Sequence, residues 1–152
     1  MLSGKLAKKN SNFFPTLFNI YFSDVIKSIP KSIDKALFAD DLAIWCSDSS
    51  IKVIEYNLQR GINKIVAFCE QWGLLLNKNN TVYTVFCTAG ARSNYHGTYC
   101  MNLRIKDSII PLDPHPTFLG ITLDPKLDFK KHLECIEKKI ASKVNLFKKL
   151  KA

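Results

Sequence analysis

Several features that would fix a function class are missing from this chain of 152 residues. No two of its five cysteines (Cys46, Cys69, Cys87, Cys100, Cys135) stand at the spacing of a zinc knuckle or a redox motif. An odd, scattered set also excludes a disulfide framework, so free thiols in a reducing compartment are expected. The lysines near Met1 are not followed by an apolar core, and no secretory signal is read there. The apolar run at 13–22 is broken by Pro15, Thr16 and Asn19 and is too short to span a bilayer. Internal repeats and low-complexity segments are absent. His115 and His132 have no serine or carboxylate at a telling spacing, which removes a nucleophilic triad. A soluble, intracellular protein with no membrane partner is expected, in nucleus or cytoplasm alike.

Acidic residues are scarce as well. Against 22 lysines and arginines stand 13 aspartates and glutamates, giving a net charge of +9. That balance favours an anionic partner such as nucleic acid, though it fixes no fold. The apolar fraction of 47% and aromatic fraction of 11% are enough for a core. The length suits one domain, or part of a larger one.

The periodicity then sets out the elements. Pro15 suits a first helical turn, and Leu17, Ile20, Tyr21, Val25 and Ile29 recur at helical steps until Pro30 stops them. Ile51, Ile54, Leu58, Ile62, Ile65, Cys69 and Trp72 make a longer stripe, closed by Gly73 and with caps on offer from Asp48, Ser49 and Ser50. Strands are expected at 74–76 and 81–87 around a turn at 77–80, and at 103–105 and 109–112 around a turn at 106–108. The stretch 88–101 reads as a loop. Pro111, Pro114 and Pro116 hold the chain extended before a strand at 117–123. A last helix follows Pro125, with Phe129, Leu133, Ile136, Ile140, Val144, Phe147 and Leu150 on one side. Met1 to Asn12 shows no periodicity and reads as loose.

Two stretches carry chemistry. Asp40 and Asp41 lie between two short apolar runs, 36–38 and 42–45, as the turn of a hairpin. Adjacent carboxylates repel each other, and a hard divalent cation relieves that repulsion by taking their oxygens as ligands. An Asp-rich turn without a ligand is the plain alternative. From Pro125 onward there are nine lysines against Asp128, Glu134 and Glu137, which puts most of the net charge on the last helix. Lys130, Lys131, Lys138, Lys139 and Lys143 are candidates for contact with a phosphate backbone, against the plain reading of a solvated face. Cys87, His96 and Cys100 match no zinc spacing.

The order of these blocks resembles the palm and thumb of reverse transcriptases, in particular those of non-LTR, LINE- and jockey-like retrotransposons. Pro15-Thr16-Leu17-Phe18-Asn19-Ile20-Tyr21 followed by Ser23-Asp24 is similar to the helix after the template-and-nucleotide loop. Phe38-Ala39-Asp40-Asp41 is similar to the polymerase carboxylate motif. Trp72-Gly73-Leu74-Leu75-Leu76-Asn77 through Thr81 resembles the next motif, and Phe118-Leu119-Gly120-Ile121-Thr122-Leu123-Asp124 resembles the primer grip. The resemblance implies an α+β fold, a palm-like antiparallel sheet packed on helices with a thumb-like C-terminal helix. Its parts would be a loose segment at 1–14, a partial palm at 15–124 and the start of a thumb at 125–152. It further implies an RNA-directed DNA polymerase that extends a primer with deoxynucleotides on an RNA template by two-metal phosphoryl transfer. Asp40 would be the main ligand of Mg²⁺ (or Mn²⁺) and Asp41 a weaker one. Phe118, Leu119 and Gly120 would meet the primer, while Phe38 and Trp45 would pack the hairpin.

The family pattern is not complete. Its third carboxylate belongs on a strand before the first helix, and no such strand is read here. The fingers are missing, and residues 3–14 do not match the Gln-Gly loop that precedes the first block. The family's lysine before Thr81 is Asn80, with Lys78 two residues away as a substitute. A fragment inactive alone is therefore expected, the alternatives being a non-catalytic nucleic-acid-binding module or a decayed remnant. Asp24 and Asp34 are the carboxylates that could complete the site.

Overall fold

Pro15 opens the first helix, α1 (Pro15–Ser28), of a computed structural model that describes residues 2–7, 15–87 and 99–150. Phe22, Val25 and Ile29 recur at helical spacing, and all three are buried. Near the end of α1, Lys27 pairs with Asp24 at 2.7 Å and sits where a cation complements the helix dipole. A turn closed by the Ile33 N–H on the Pro30 carbonyl leads into the hairpin β2 (Asp34–Phe38) and β3 (Asp41–Trp45).

The second helix, α2 (Ile51–Gln71), buries Leu58, Ile62, Ile65, Phe68 and Cys69 along one face. Its start differs from expectation. Ser50 makes no side-chain cap; instead the Asp48 carboxylate accepts the Ser50 N–H at 2.8 Å. Its end is as expected: Gly73 adopts φ 63°, and Leu74 N–H reaches back to the Cys69 carbonyl at 2.8 Å. Trp72 lies just past the helix, half-exposed against Phe68 rather than in the stripe. Gly61 is needed for close approach, because a Cβ there would come within 2.9 Å of Ile33 Cδ1 and 3.1 Å of Ile44 Cδ1. It is the point where α2 rests directly on β3.

The main sheet has the order β2-β3-β1-β4, with β1 at Leu2–Ala7 and β4 at Leu75–Tyr83. This corrects the reading of the N-terminus as loose. Leu2–Ala7 pairs antiparallel with both β3 and β4. The register with β4 breaks between Ser3↔Val82 and Lys5↔Asn77, so Gly4 of β1 stands against residues 78–81 of β4. The expected turn at 77–80 is that excursion, closed by Thr81 Oγ1 on the Asn77 carbonyl at 2.8 Å. The regular ladder stops at Tyr83, short of residue 87. Residues 8–14 and 88–98, including the expected loop and His96, lie outside the described residues.

Two small hairpins follow. In the first, β5 (Arg104–Ile105) and β6 (Ser108–Ile109) turn at Lys106, φ 56°. The Gln59 side chain of α2 accepts the Arg104 N–H at 2.9 Å and donates to its carbonyl at 3.0 Å, in the manner of a neighbouring strand. The expected strand at 117–123 is instead a second hairpin, β7 (Thr117–Phe118) and β8 (Ile121–Thr122). Leu119 at φ 49° and Gly120 at φ 82° form its two-residue turn, a backbone that glycine permits and leucine resists. The last helix, α3 (Lys130–Leu150), meets β8 near its start, where the Thr122 N–H donates to His132 Nδ1 at 3.3 Å. Its apolar residues Leu133, Ile136, Ile140 and Val144 are exposed. The core formed by these elements contains Phe22, Ile33, Leu42, Ile44, Leu58, Ile62, Tyr83 and Leu103.

Candidate active site at the carboxylate hairpin

Strand β3 is buried on both of its faces. Leu42 and Ile44 are buried among the core residues, and Ile44 meets Gly61 of α2. Ala43, between them, lines a cavity of about 510 Å³ on the other face, together with Ala36 and Trp45 of the hairpin. This burial anchors the hairpin and leaves its turn, Ala39 and Asp40, projecting with both residues exposed. Ala39 has φ 51°, a left-handed backbone that costs a residue with a Cβ roughly 1 kcal/mol or more. Asp40 is exposed and Asp41, the first residue of β3, is half-buried.

Phe38 does not pack the hairpin as expected. It is the register partner of Asp41, and 64% of it is exposed, so an aromatic ring stands free beside the carboxylates. Trp45 lines the cavity but is itself 36% exposed. The opposite wall of that cavity comes from Phe118, Leu123 and Leu127. The hairpin and the first residue of the expected primer-binding group therefore share one cavity. Leu119 and Gly120 lie at the exposed turn beyond Phe118.

The carboxylates suit a hard divalent cation in kind and fall short in number. Asp34 pairs with Trp45, at the opposite end of β2 from Phe38 and Asp41, and so lies about 13 Å along the strand from the site. Asp24 is held by Lys27 on α1. Neither completes the site. Among the described residues, no group of three His, Cys, Asp or Glu side chains could hold a metal ion. A strand before α1 does exist, contrary to expectation, but its sequence Leu-Ser-Gly-Lys-Leu-Ala has no carboxylate. In register, Lys5 stands opposite Asp41. Lys78 is engaged elsewhere, donating to Ser108 Oγ at 3.0 Å.

Asp124, inside the block that resembles a primer grip, serves the backbone. Its Oδ1 accepts the N–H groups of Lys126 and Asp128, and its Oδ2 accepts that of Phe129 at 2.7 Å. Burial works to raise its pKa, but these backbone donors outweigh it and hold the carboxyl below its ordinary value. The turn it organises starts α3, on which Lys130, Lys131, Lys138, Lys139 and Lys143 are all exposed. Lys130 and Lys131 border a second cavity of about 470 Å³ with His115 and Lys126. No described helix is long and apolar enough to cross a membrane. Sequence reasoning missed Lys5 and the exposure of Phe38. The first lacked any strand signal, and the second depends on what the neighbouring strand leaves uncovered.

Residues 11–123 match the family model described as reverse transcriptase (RNA-dependent DNA polymerase), more than half of the chain. The chain is similar to an RNA-directed DNA polymerase from the mobile element jockey of Drosophila melanogaster, at 27% identity over 136 residues. That alignment covers 86% of this chain and 14% of the relative. A probable RNA-directed DNA polymerase from transposon BS of the same organism is 24% identical over 126 residues, covering 79% of this chain and 13% of its own length. No solved structure matches.

Proposed function

Because the chain belongs to the reverse transcriptase (RNA-dependent DNA polymerase) family, we propose that it is the palm, over residues 15–124, and the start of the thumb, from 125, of a non-LTR retrotransposon polymerase. The observation that carries this reading is the position of Asp40 and Asp41 at the tip of a hairpin anchored on α2 through Ile44 and Gly61. A rigid support of this kind lets carboxylates hold divalent cations with little reorganisation, as in-line phosphoryl transfer requires. Mg²⁺, when bound, would stabilise the attacking and leaving oxygens, with Asp40 and Asp41 as its protein ligands. Phe118, Leu119 and Gly120 would border the primer. The exposed lysines of α3 would follow the phosphates of an RNA–DNA duplex, with deoxynucleotides as the other substrate.

The chain alone is proposed to be inactive. Two carboxylates leave Mg²⁺ with most of its hydration shell, and this ion loses water reluctantly. A second reading, a nucleic-acid-binding module without chemistry, is favoured by the lysine that stands opposite Asp41 and by the lysine-rich helix. Primer extension on an RNA template, with Mg²⁺ and then Mn²⁺, tests the inactivity that both readings share, and duplex binding tests the role of α3. No extension by the chain is expected, together with salt-sensitive binding to an RNA–DNA duplex. That binding should weaken when Lys130, Lys131, Lys138, Lys139 and Lys143 are all replaced by glutamine. Extension that disappears in Asp40→Asn would show a complete site and overturn the proposed inactivity. Duplex binding unchanged by the five substitutions would leave α3 as a solvated face.

A further inference from the structure

Helix α2 buries one face in the core and presents a charged one to solvent. Lys52, Tyr56, Arg60 and Lys64 follow one another at steps of four residues and form a single row, on the side away from Leu58 and Ile62. All four are exposed. At the rise of an α-helix the row is about 18 Å long. Tyr56 is 64% exposed, and the Arg60 guanidinium stands over its ring at 5.6 Å from the centroid. The cation takes one face of the ring and steadies it, and the other face is left to solvent. The two carboxylates of α2 are turned to other partners. Glu55 Oε1 accepts the Asn102 N–H at 2.9 Å, and Glu70 pairs with Lys106. Among the described residues, no carboxylate pairs with Lys52, Arg60 or Lys64. The row therefore carries three cations and an aromatic ring, with no anion of its own.

We propose that this face of α2 holds an unpaired RNA strand, with Lys52, Arg60 and Lys64 at its phosphates and a base stacked on Tyr56. Three uncompensated cations in a row complement a polyanion. The ring decides which one. An acidic polypeptide or a lipid headgroup brings charge but no flat base to stack, and in a duplex the faces of the bases are already stacked on one another. An unpaired strand brings both phosphates and free base faces, and stacking on an aromatic side chain tolerates any sequence. This surface is separate from the lysines of α3, which the proposed function assigns to an RNA–DNA duplex. The choice of RNA over DNA rests on that reading, whose template is RNA. The argument for an unpaired strand rests on α2 alone.

The test uses the full chain and a fluorescent strand of about ten uridines, long enough for a stacking site of this kind. No metal or deoxynucleotide is present, so the outcome is separate from that of primer extension. Lys52→Gln, Arg60→Gln and Lys64→Gln together should weaken binding roughly tenfold at low salt and reduce the salt slope by about 2. Tyr56→Ala should also weaken it roughly tenfold, and Tyr56→Phe, which keeps the ring, should restore it. An abasic strand of the same length keeps its phosphates and should bind parent and Tyr56→Ala alike. The same losses should appear when the five lysines of α3 are already glutamine, which separates the two helices. Should a variant fold poorly, photo-cross-linking of a 5-iodouridine strand to the unmodified chain still decides, with the cross-link expected at Tyr56. Binding unchanged in the triple variant or in Tyr56→Ala would leave a solvated face and overturn the proposal. A polyglutamate peptide held as tightly as the uridine strand would assign the face to an acidic polypeptide and overturn it as well.

Discussion

The phenol of Tyr83 closes both hydrogen-bonding groups of one residue: it accepts the N–H of Met101 at 2.8 Å and donates to the Met101 carbonyl at 3.2 Å. Tyr83 and Met101 are both buried, so neither group has water to turn to. The pair ties the end of β4 to the segment that enters β5, across residues 88–98. Tyr83→Phe should destabilise the chain by about 1–3 kcal/mol, because it strands two buried backbone groups. Urea unfolding measures this directly. A loss within error of zero would mean that Met101 finds other partners.

The strained turn at the carboxylates gives the opposite sign. Ala39 holds φ 51°, and Ala39→Gly removes the Cβ penalty at some entropic cost to the unfolded chain. A net gain of up to about 1 kcal/mol is expected. Thermal unfolding should show a higher midpoint, and a lower one would mean that the turn differs in solution.

Asp124 links the start of α3 to acid. Its pKa is lowered in the folded chain, so its contribution is present above the ordinary carboxylate pKa and is lost as pH falls through the lower, folded value. Asp124→Ala should cost about 0.5–2 kcal/mol at neutral pH, in the range of a lost helix cap. The difference between variant and parent should shrink below about pH 4. A difference that stays constant down to pH 2 would assign the loss to packing alone.

Cys69 responds at the alkaline end. Burial, with a smaller push from Glu70, raises its pKa from 9.0 to about 11. Its stabilising effect is complete below about pH 9 and is lost as pH rises toward about 11. The parent should therefore lose on the order of 2–3 kcal/mol more than Cys69→Ala between pH 8 and pH 11. Thiol labelling gives a second check at pH 8. Cys100, which is exposed, should react first, and the buried Cys69 only on unfolding. Equal rates at the two positions would contradict the burial.

The three helices, the carboxylate hairpin and the Gly73 stop were legible because each is set by local periodicity or by one residue with a distinct backbone. Ile62, Ile65 and Cys69 repeat at steps that only a helix can bury together, and Asp40-Asp41 interrupts two apolar runs that only a hairpin can pair. What escaped is long-range. Leu2–Ala7 is a strand because β3 and β4 offer it partners, and its own residues announce nothing. The turn at Leu119-Gly120 was hidden because leucine is a poor sign of left-handed backbone. The exposure of Phe38 was equally unreadable, since a hydrophobic residue beside a turn is ordinarily covered. At the site, the two adjacent carboxylates were visible as chemistry. The lysine that faces Asp41 in register required the sheet order.

Gln59 joins two parts of the molecule. By holding the N–H and the carbonyl of Arg104 together, it ties α2 to the β5–β6 hairpin through a single side chain. Gly61, two residues further on, meets Ile33 and Ile44. One short stretch of α2 therefore carries both junctions, the tie to the β5–β6 hairpin and the bearing of the strand that begins at Asp41.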